Sequence, residues 1–583
     1  MIFQAPPVSP GIALGKAFVF IPFRPVITER FLTKEELPRN LEHYREVLDK
    51  AAGELSLIIK GLGESGENEK AAIFEAHLEI LNDEELGKDI LTLITGQNFA
   101  PDYAVETVYE KFIDMVSAAD DQYLMERAAD FRDVKNRILR LWLGVEHRNL
   151  SEIKEPSVVF AHELFPSNTA VMDRTKVLGL VTEVGGLTCH SAIIARSYGI
   201  PALLGISNVM DAIRDNDQVI LDALEGRLII GPAKGQIEEY EARRRAFLQE
   251  AAETEKFRGV KGVTRDGKTV EVCLNIGSTN DDELEGAAWT DGVGLFRSEF
   301  LFMAGQDLPS EERQFRAYKK AAEVFGSRQV ILRTLDIGGD KTLPCLELPR
   351  EDNPFLGVRA LRLCFTRQDL FKTQLRAALR ASVWGNLAIM LPMVGSLEDL
   401  RRAKAIIREC REELDEQGLE YNPDIKVGIM IEIPAIALIA DLIVEEVDFA
   451  SIGTNDLCQY LLAVDRQNPE LNEYYQSFHP AMFRLIYVAS QAFLKAGKPL
   501  SVCGEMGGDP RAAMVFLGLG IRKLSMSASS VAGIKRMVTR LDLKDAEGIA
   551  NRVLSLATAA EVESYLQEEE KKRRNPEDQG VHS

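Results

Sequence analysis

KVGIMIEI (426–433) decides the architecture of the larger part of this chain. It is an apolar, β-branched run of strand length that ends in Glu432 and is followed by sequence of helical period. The same unit recurs on both sides: VEVCLNI (270–276), GVGLFR (292–297), VILRTLD (330–336), AIMLPMV (388–394), FASIGT (449–454), LSVCGE (500–505) and IRKLSMS (521–527). Eight strands, each followed by a helical stretch, predict a (β/α)8 TIM barrel over residues 261–570. The polar residues 571–583 form a tail beyond it.

Upstream, residues 231–260 are charged, alanine-bearing and helical, and read as a linker helix. Strand runs SVVFAHEL, VLGLVTEV, PALLGI, QVILDAL and RLIIG lie between 157 and 231, with the helix SAIIARSYG between the second and third. PGIALGKAFVF (10–20) supplies a further strand. Residues 1–24 and 149–230 therefore form one discontinuous α/β domain. Residues 25–148, with apolar positions three to four apart and no strand alternation, form a helical bundle inserted into it. The chain is thus expected to be a multi-domain α/β protein.

At 583 residues the chain exceeds what one core serves. No apolar run approaches the ~20 residues that span a bilayer, and MIFQAPPVSP has no secretory-signal layout, so a cytoplasmic protein without membrane insertion is expected. Seven cysteines without CxxC pairs suit reduced thiols and argue against a disulfide framework or a zinc site. A net charge of −21 argues against nucleic-acid binding and leaves room for a basic protein partner.

Barrel chemistry gathers at the carboxyl ends of the strands. There the sequence places Asn275, Arg297 with Glu299, Arg333 with Asp336, Met393, Glu432, Asn455 with Asp456, and Cys503 with Glu505. Arginines ending buried strands need an anion, and the carboxylates of Glu432 and Asp456 suit a hard cation such as Mg²⁺. Together they describe a site for a phosphorylated, carboxylate-bearing small molecule. Any one of these charges can equally brace the rim, but the whole set is harder to explain that way. Cys503, between a strand and a glycine-rich turn, is either a small core residue, the commoner case, or a proton-exchanging thiol.

His190 opens a helix after a Gly-Gly turn in VTEVGGLTCHSAIIARSYGIPALLG (181–205), beside the hydroxyls of Thr188 and Ser191. A helix N-terminus favours phosphate on a nearby imidazole. Taken alone, a helix-capping histidine is the commoner reading of such a loop. The other histidines lack this setting, although His77 on IFEAHLEIL could contact a partner.

GGLTCHSAIIARSYGIPALLG resembles the phosphohistidine signature of enzyme I of the sugar phosphotransferase system, phosphoenolpyruvate synthase and pyruvate phosphate dikinase. DGVGLFRSEFLFM (291–303), RTLDIGGDKTLPC (333–345), NPFLGVRALR (353–362), GIMIEIPAIALIADLI (428–443), SIGTNDLCQYLLAVDRQNP (451–469) and CGEMGGDP (503–510) resemble the phosphoenolpyruvate-binding barrel of that group. With only about 150 helical residues ahead of the histidine and no nucleotide-binding or sensory unit, the pattern is most similar to enzyme I. The resemblance implies that phosphoenolpyruvate phosphorylates His190, that His190 phosphorylates a histidine of the phosphocarrier protein HPr, and that pyruvate leaves, as the first step of sugar uptake.

It further implies Arg297 and Arg333 as the phosphate clamp, with Arg466, Asn455, Asp456, Arg359 and Lys341 as further substrate contacts. Glu432 and Asp456 would hold Mg²⁺, and Cys503 would be the proton donor. Thr169 and Thr188 would support His190. Leu187 departs from the family, which usually has a basic residue there, and implies weaker charge stabilisation beside the histidine. HPr would dock on the bundle, where residues 61–130 carry 17 acidic against 4 basic residues, through Glu69, Phe74, Glu75 and Leu78. The barrel would also form a homodimer, and the 231–260 helix would act as a hinge. Two other readings remain open: an enzyme using nucleotide bound on another subunit, and a non-catalytic phosphocarrier.

Overall fold

The computed structural model describes the chain apart from residues 6, 22–26, 65–67, 118–121, 146–149, 151–152, 165–171, 186–189, 304–306, 339–345, 347–350, 467, 469–470, 472 and 575–583, and apart from some helical side chains, including those of Glu69 and His190. It divides into two compact units, Met1–Gln249 and Glu250–Ser583. The helix Lys234–Glu255 runs through the division, within the stretch expected as a linker.

The first unit is built on one eight-stranded sheet. Its strands are β1 (Ile2–Gln4), β2 (Pro7–Ser9), β3 (Ile12–Phe20), β4 (Ser157–Ala161), β5 (Val177–Thr182), β6 (Ala202–Leu203), β7 (Gln218–Asp222) and β8 (Arg227–Ile230), in the spatial order β1-β8-β7-β3-β4-β5-β6-β2. β3 runs parallel to β4, from Lys16 opposite Ser157 to Phe20 opposite Ala161, and antiparallel to β7. The amino-terminal strand thus lies inside a sheet whose remaining central strands come from beyond residue 156. Alternate residues of β4 feed opposite faces: Val159 and Ala161 join a core with Phe18 and Leu180, while Val158 and Phe160 join one with Ala17 and Val181. Burial on both faces explains why these strands read as continuous apolar runs.

Between the two pieces of the sheet lie the helices Leu37–Glu64, Asn68–Leu81, Glu84–Gln97, Pro101–Ser117 and Gln122–Leu143. Their apolar positions meet in a core that includes Tyr44, Val47, Ile90, Ile94, Tyr109 and Ile138. Two residues proposed above as partner contacts are not on the surface. Phe74 is 1 % exposed and packs edge-on against His77, which is equally buried and holds Asp130 at 3.1 Å. Both sit on the inward stripe of their helix, so they stabilise the bundle instead of offering a docking face. Glu75 is exposed and Leu78 is half-buried.

The second unit contains a closed barrel. Its strands are β9 (Glu271–Ile276), β10 (Val293–Arg297), β11 (Val330–Arg333), β12 (Leu387–Leu391), β13 (Lys426–Ile431), β14 (Ala450–Ile452), β15 (Leu500–Val502) and β16 (Lys523–Met526). Each pairs in parallel with the next, and β16 closes on β9. Every strand expected from the sequence is present, though most are shorter than the apolar runs, because in β11 to β16 the last residues of the run leave the ladder to form the rim. Leu295, Ile331, Ala388, Met390, Met430, Phe449 and Cys503 fill the interior. The helices form the outer layer, and the apolar core between helices and strands is the largest in the molecule. Among the described residues no helix is long and apolar enough to cross a membrane, and the five described cysteines are free thiols.

The close approach of the helices Pro510–Gly518 and Leu543–Ser555 depends on Gly518, where an added Cβ would lie 2.1 Å from the Ala546 carbonyl oxygen. Gly518→Val is expected to cost about 2 kcal/mol of stability, as overpacking of a rigid contact does, measured by urea unfolding.

Candidate active site

The barrel gathers charged side chains at one end because each strand stops as its chemistry-bearing residue arrives. β10 ends at Arg297 and β11 at Arg333, and the two are direct partners in the strand register. Side by side at the rim, the two like charges have no carboxylate between them on the strands themselves. Arg333 is 5 % exposed and bridges two acids: Nη2 donates to Glu299 Oε1, and Nη1 lies 2.8 Å from Asp336 Oδ2. Asp336 is shared, since its Oδ1 accepts from Arg359 Nη2 at 2.8 Å. Arg359, 1 % exposed, also donates to the Tyr460 hydroxyl at 3.1 Å and faces Asp456 Oδ1 at 3.5 Å. Arg466 approaches the same Asp456 oxygen at 3.7 Å.

The electrostatics follow from this packing. Burial alone would lower the pKa of Arg333, but Glu299 and Asp336, with Glu432 and Asp456 beyond them, raise it above the ordinary arginine value. Arg359 is raised in the same way against its burial, by Asp336 and Asp456. Arg297 shows the opposite behaviour: loss of hydration and the like charge of Arg333 hold it below the usual range, despite Glu299. A cation depressed by a neighbouring cation at an open rim is a place where an anion gains affinity.

Glu432 and Asp456 meet this network from the other side. Glu432 is carried just past β13, and its Oε1 accepts the Met393 N–H at 2.6 Å. Met393 holds a left-handed φ of 52°, which turns that amide toward the carboxylate. Burial, followed by the like charges of Asp456 and Asp336, pushes the Glu432 carboxyl up to about 8. Glu432 Oε2 and Asp456 Oδ1 are buried and accept no hydrogen bond among the described residues. Two buried carboxylate oxygens without donors, one raised by like charge, are what a hard divalent cation would satisfy, so these residues fit a metal. Gly453 leaves room beside them, since a Cβ there would sit 3.0 Å from Glu432 Oε2.

Cys503 follows β15 and is 1 % exposed; its thiol points to the Ile452 carbonyl at 3.6 Å. Burial is the main cause that pushes this thiol up to about 11, so it holds its proton at neutral pH. Asn275 donates to the Cys503 carbonyl at 2.9 Å, and the Glu505 N–H donates to Asn455 at 3.2 Å, which ties β9, β14 and β15 together at the rim. The barrel therefore brings together Arg297, Arg333, Arg359, Glu432, Asn455, Asp456, Arg466 and Cys503, all chosen from sequence. Lys341 lies outside the described residues. Sequence reasoning missed Tyr460, which accepts from Arg359 and donates to the Phe355 carbonyl at 2.7 Å. Its spacing of four from Asp456 on the helix Thr454–Leu462 was the available signal.

In the first unit, His190 is the first residue of the helix His190–Ser197. Gly185, ahead of it, has a φ of 127°, a conformation that favours glycine. Ser191 anchors the helix start by donating to the Leu164 carbonyl at 3.2 Å, and Ala192 and Ala195 seat the helix on the sheet. Thr169, Leu187 and Thr188 lie outside the described residues.

Arg359→Met is expected to cost about 3 kcal/mol of stability, because it strips the buried Asp336 and Asp456 of a shared cation; chemical denaturation measures it. Cys503 should resist alkylation near pH 8 in the folded protein, followed residue by residue by mass spectrometry; rapid labelling there would contradict a thiol raised by burial.

The geometry agrees with comparison to known proteins. Residues 251–543 match the profile of the PEP-binding domain of PEP-utilising enzymes, residues 4–127 their N-terminal domain, and residues 153–226 their mobile domain. The chain is 43% identical over 96% of its length to a phosphoenolpyruvate-protein phosphotransferase of Priestia megaterium, covering 97% of that protein. It is 44% identical over 95% of its length to the protein of that name in Listeria monocytogenes, covering 96%, and 41% identical over 96% to that of Haemophilus influenzae, covering 97%. The chain belongs to the PEP-utilising enzyme family, among its phosphoenolpyruvate–protein phosphotransferases.

Proposed function

We propose that phosphoenolpyruvate binds the barrel rim and phosphorylates His190, which then phosphorylates a histidine of the carrier protein HPr in the first step of sugar uptake. The observation that carries this reading is the pair of buried oxygens, Glu432 Oε2 and Asp456 Oδ1, that accept no hydrogen bond among the described residues and face an arginine cluster. Arg297, Arg333, Arg359 and Arg466 are balanced by Glu299, Asp336, Glu432 and Asp456. A divalent cation, Mg²⁺ for oxygen ligands, would be held by Glu432 and Asp456 and would supply positive charge to substrate oxygens. The arginines are then in excess and accept the phosphate and carboxylate. Asn455 and Lys341 are proposed as further contacts.

The chemistry asked of the side chains is modest. A ring nitrogen of His190 attacks phosphorus in line, the P–O bond to enolpyruvate breaks, and its electrons remain on the enolate oxygen. The enolate takes a proton at its methylene carbon from the Cys503 thiol, giving pyruvate and a thiolate that water reprotonates. A thiol held protonated by burial suits this role. The partial positive charge at the start of the helix His190–Ser197 favours the phosphorylated imidazole, with Thr169 and Thr188 proposed as hydrogen-bonding supports. Leu187, in place of a cation, leaves more of that task to the helix.

The remaining elements of the reading concern assembly. The domain limits 1–24 with 149–230, 25–148, 231–260 and 261–570 are proposed as phosphohistidine, HPr-binding, hinge and barrel segments in a cytoplasmic homodimer joined through the barrel. Glu69, Glu75 and Leu78 remain the proposed HPr contacts.

Labelled phosphoenolpyruvate with Mg²⁺ should give an acid-labile, base-stable label that passes to HPr without nucleotide and is absent in His190→Ala. A label that appears only with ATP and a second subunit would defeat the proposal. Cys503→Ala should remain folded and slow pyruvate formation at least about a hundredfold. Unchanged turnover would remove its role.

A further inference from the structure

A cavity of about 630 Å³ lies at the end of the barrel opposite the rim, among the residues where the strands begin. Glu271 opens β9, Gln329 precedes β11, Asn386 precedes β12, Leu500 opens β15 and Lys523 opens β16, and all of them line it. Its size is that of a metabolite site. One wall is apolar, formed by Phe493, Leu494, Pro499, Leu500 and Ile521. The other carries four cations, Arg328, Lys498, Arg522 and Lys523, against the two carboxylates Glu271 and Asp291.

The partners of these cations are uneven. Lys523 is answered by Glu271 at 3.4 Å and by the Gln329 side chain at 2.7 Å, an arrangement that braces the barrel floor. Arg328 is fixed by the carbonyls of Phe325, Ala287, Thr290 and Val324. Lys498 rests on the Val444 carbonyl at 2.7 Å and the Glu445 carbonyl at 3.3 Å. Arg522 uses Nη1 on the carbonyls of Leu517 and Ile521, and its Nε and Nη2 make no hydrogen bond among the described residues. Carbonyl dipoles orient a cation without neutralising it. Arg328, Lys498 and Arg522 form no ion pair among the described residues, although Glu547 and Asp266 attract Arg522 from outside the lining, so the lining itself keeps an excess of two positive charges in a chain of net charge −21. Loss of hydration at Arg522, which lowers its pKa, adds to the gain from an arriving anion.

We propose that this floor cavity binds a small organic dianion, a phosphate monoester or a dicarboxylate, with its charged groups on Arg522 and Lys498 and its carbon skeleton on the Phe493–Ile521 wall. The site lies at the opposite end of the barrel from the rim, so its ligand does not compete with phosphoenolpyruvate.

Calorimetry on the full chain carrying Arg297→Met, an exposed rim arginine whose loss weakens anion binding there, tests this with glycerol 3-phosphate, succinate and inorganic phosphate up to about 10 mM. Saturable binding of glycerol 3-phosphate or succinate is expected, and which of the two binds identifies the class. Lys498→Gln and Arg522→Gln should each weaken it about tenfold or more. Ser327→Trp, at an exposed lining position away from the cations, should block it and decides the matter should Arg522→Gln fail to fold. Binding of neither organic probe, or of inorganic phosphate alone, overturns the proposal. So does binding that is unchanged in both Lys498→Gln and Ser327→Trp. In the otherwise unaltered chain, Lys498→Gln and Ser327→Trp should leave phosphoryl transfer intact without probe, so this result stands apart from the rim reading.

Discussion

The bridge of Arg333 between Glu299 and Asp336 is the interaction on which the rim depends. A guanidinium with so little solvent access is tolerable only when acids replace its lost hydration, and here one acid lies on each side. Asp336 passes the constraint to Arg359, and Arg359 passes it to Asp456 and Tyr460. Segments that follow three different strands, β10, β11 and β14, are thereby fixed relative to one another. Removing any member leaves a charge buried without its partner, which costs more than an absent surface pair would.

The same chain of charges explains why the site is only partly self-satisfied. The arginines compensate Glu299 and Asp336 closely, whereas Asp456 is held loosely at 3.5 and 3.7 Å and Glu432 relies on one backbone amide and keeps a raised pKa. A protein meant only to brace its rim would neutralise these carboxylates. Carboxylates left short of donors in this way would suit a divalent cation, which would leave more of the arginine charge for an anion. The barrel floor shows the contrasting case, where Lys523, Glu271 and Gln329 are matched while Lys498 and Arg522 rest on backbone carbonyls and form no ion pair among the described residues.

In the first unit the corresponding constraint is backbone pairing. β3 has partners on both edges, so the sheet is complete only when residues 12–20 meet strands contributed from beyond residue 156. Because β3 and β4 are parallel, the insertion leaves at the carboxyl end of β3 and returns at the amino end of β4, and a crossover of this kind accommodates a helical segment. The histidine helix is held by its apolar face on that sheet and by Ser191, which leaves its amino-terminal end set by rigid neighbours.

Much of this was legible in the sequence, for reasons of period and length. Eight apolar runs of strand length separated by helical sequence leave few alternatives to a barrel, and the barrel rule then places Arg297, Arg333, Glu432, Asp456 and Cys503 at one end. The glycine turn likewise put His190 at a helix start. Contacts between elements distant in the chain were not legible. Whether Arg333 pairs with Glu299 or with Glu432, that Tyr460 joins the network, and that Phe74 and His77 turn inward depend on strand register and helix rotation. The sequence by itself determined which groups stand at the ends of which strands, because strand and helix periods are local. Only the tertiary structure decided which charges compensate one another and which carboxylate oxygens, those of Glu432 and Asp456 among them, are left short of donors among the described residues, because hydration is lost only when the barrel closes.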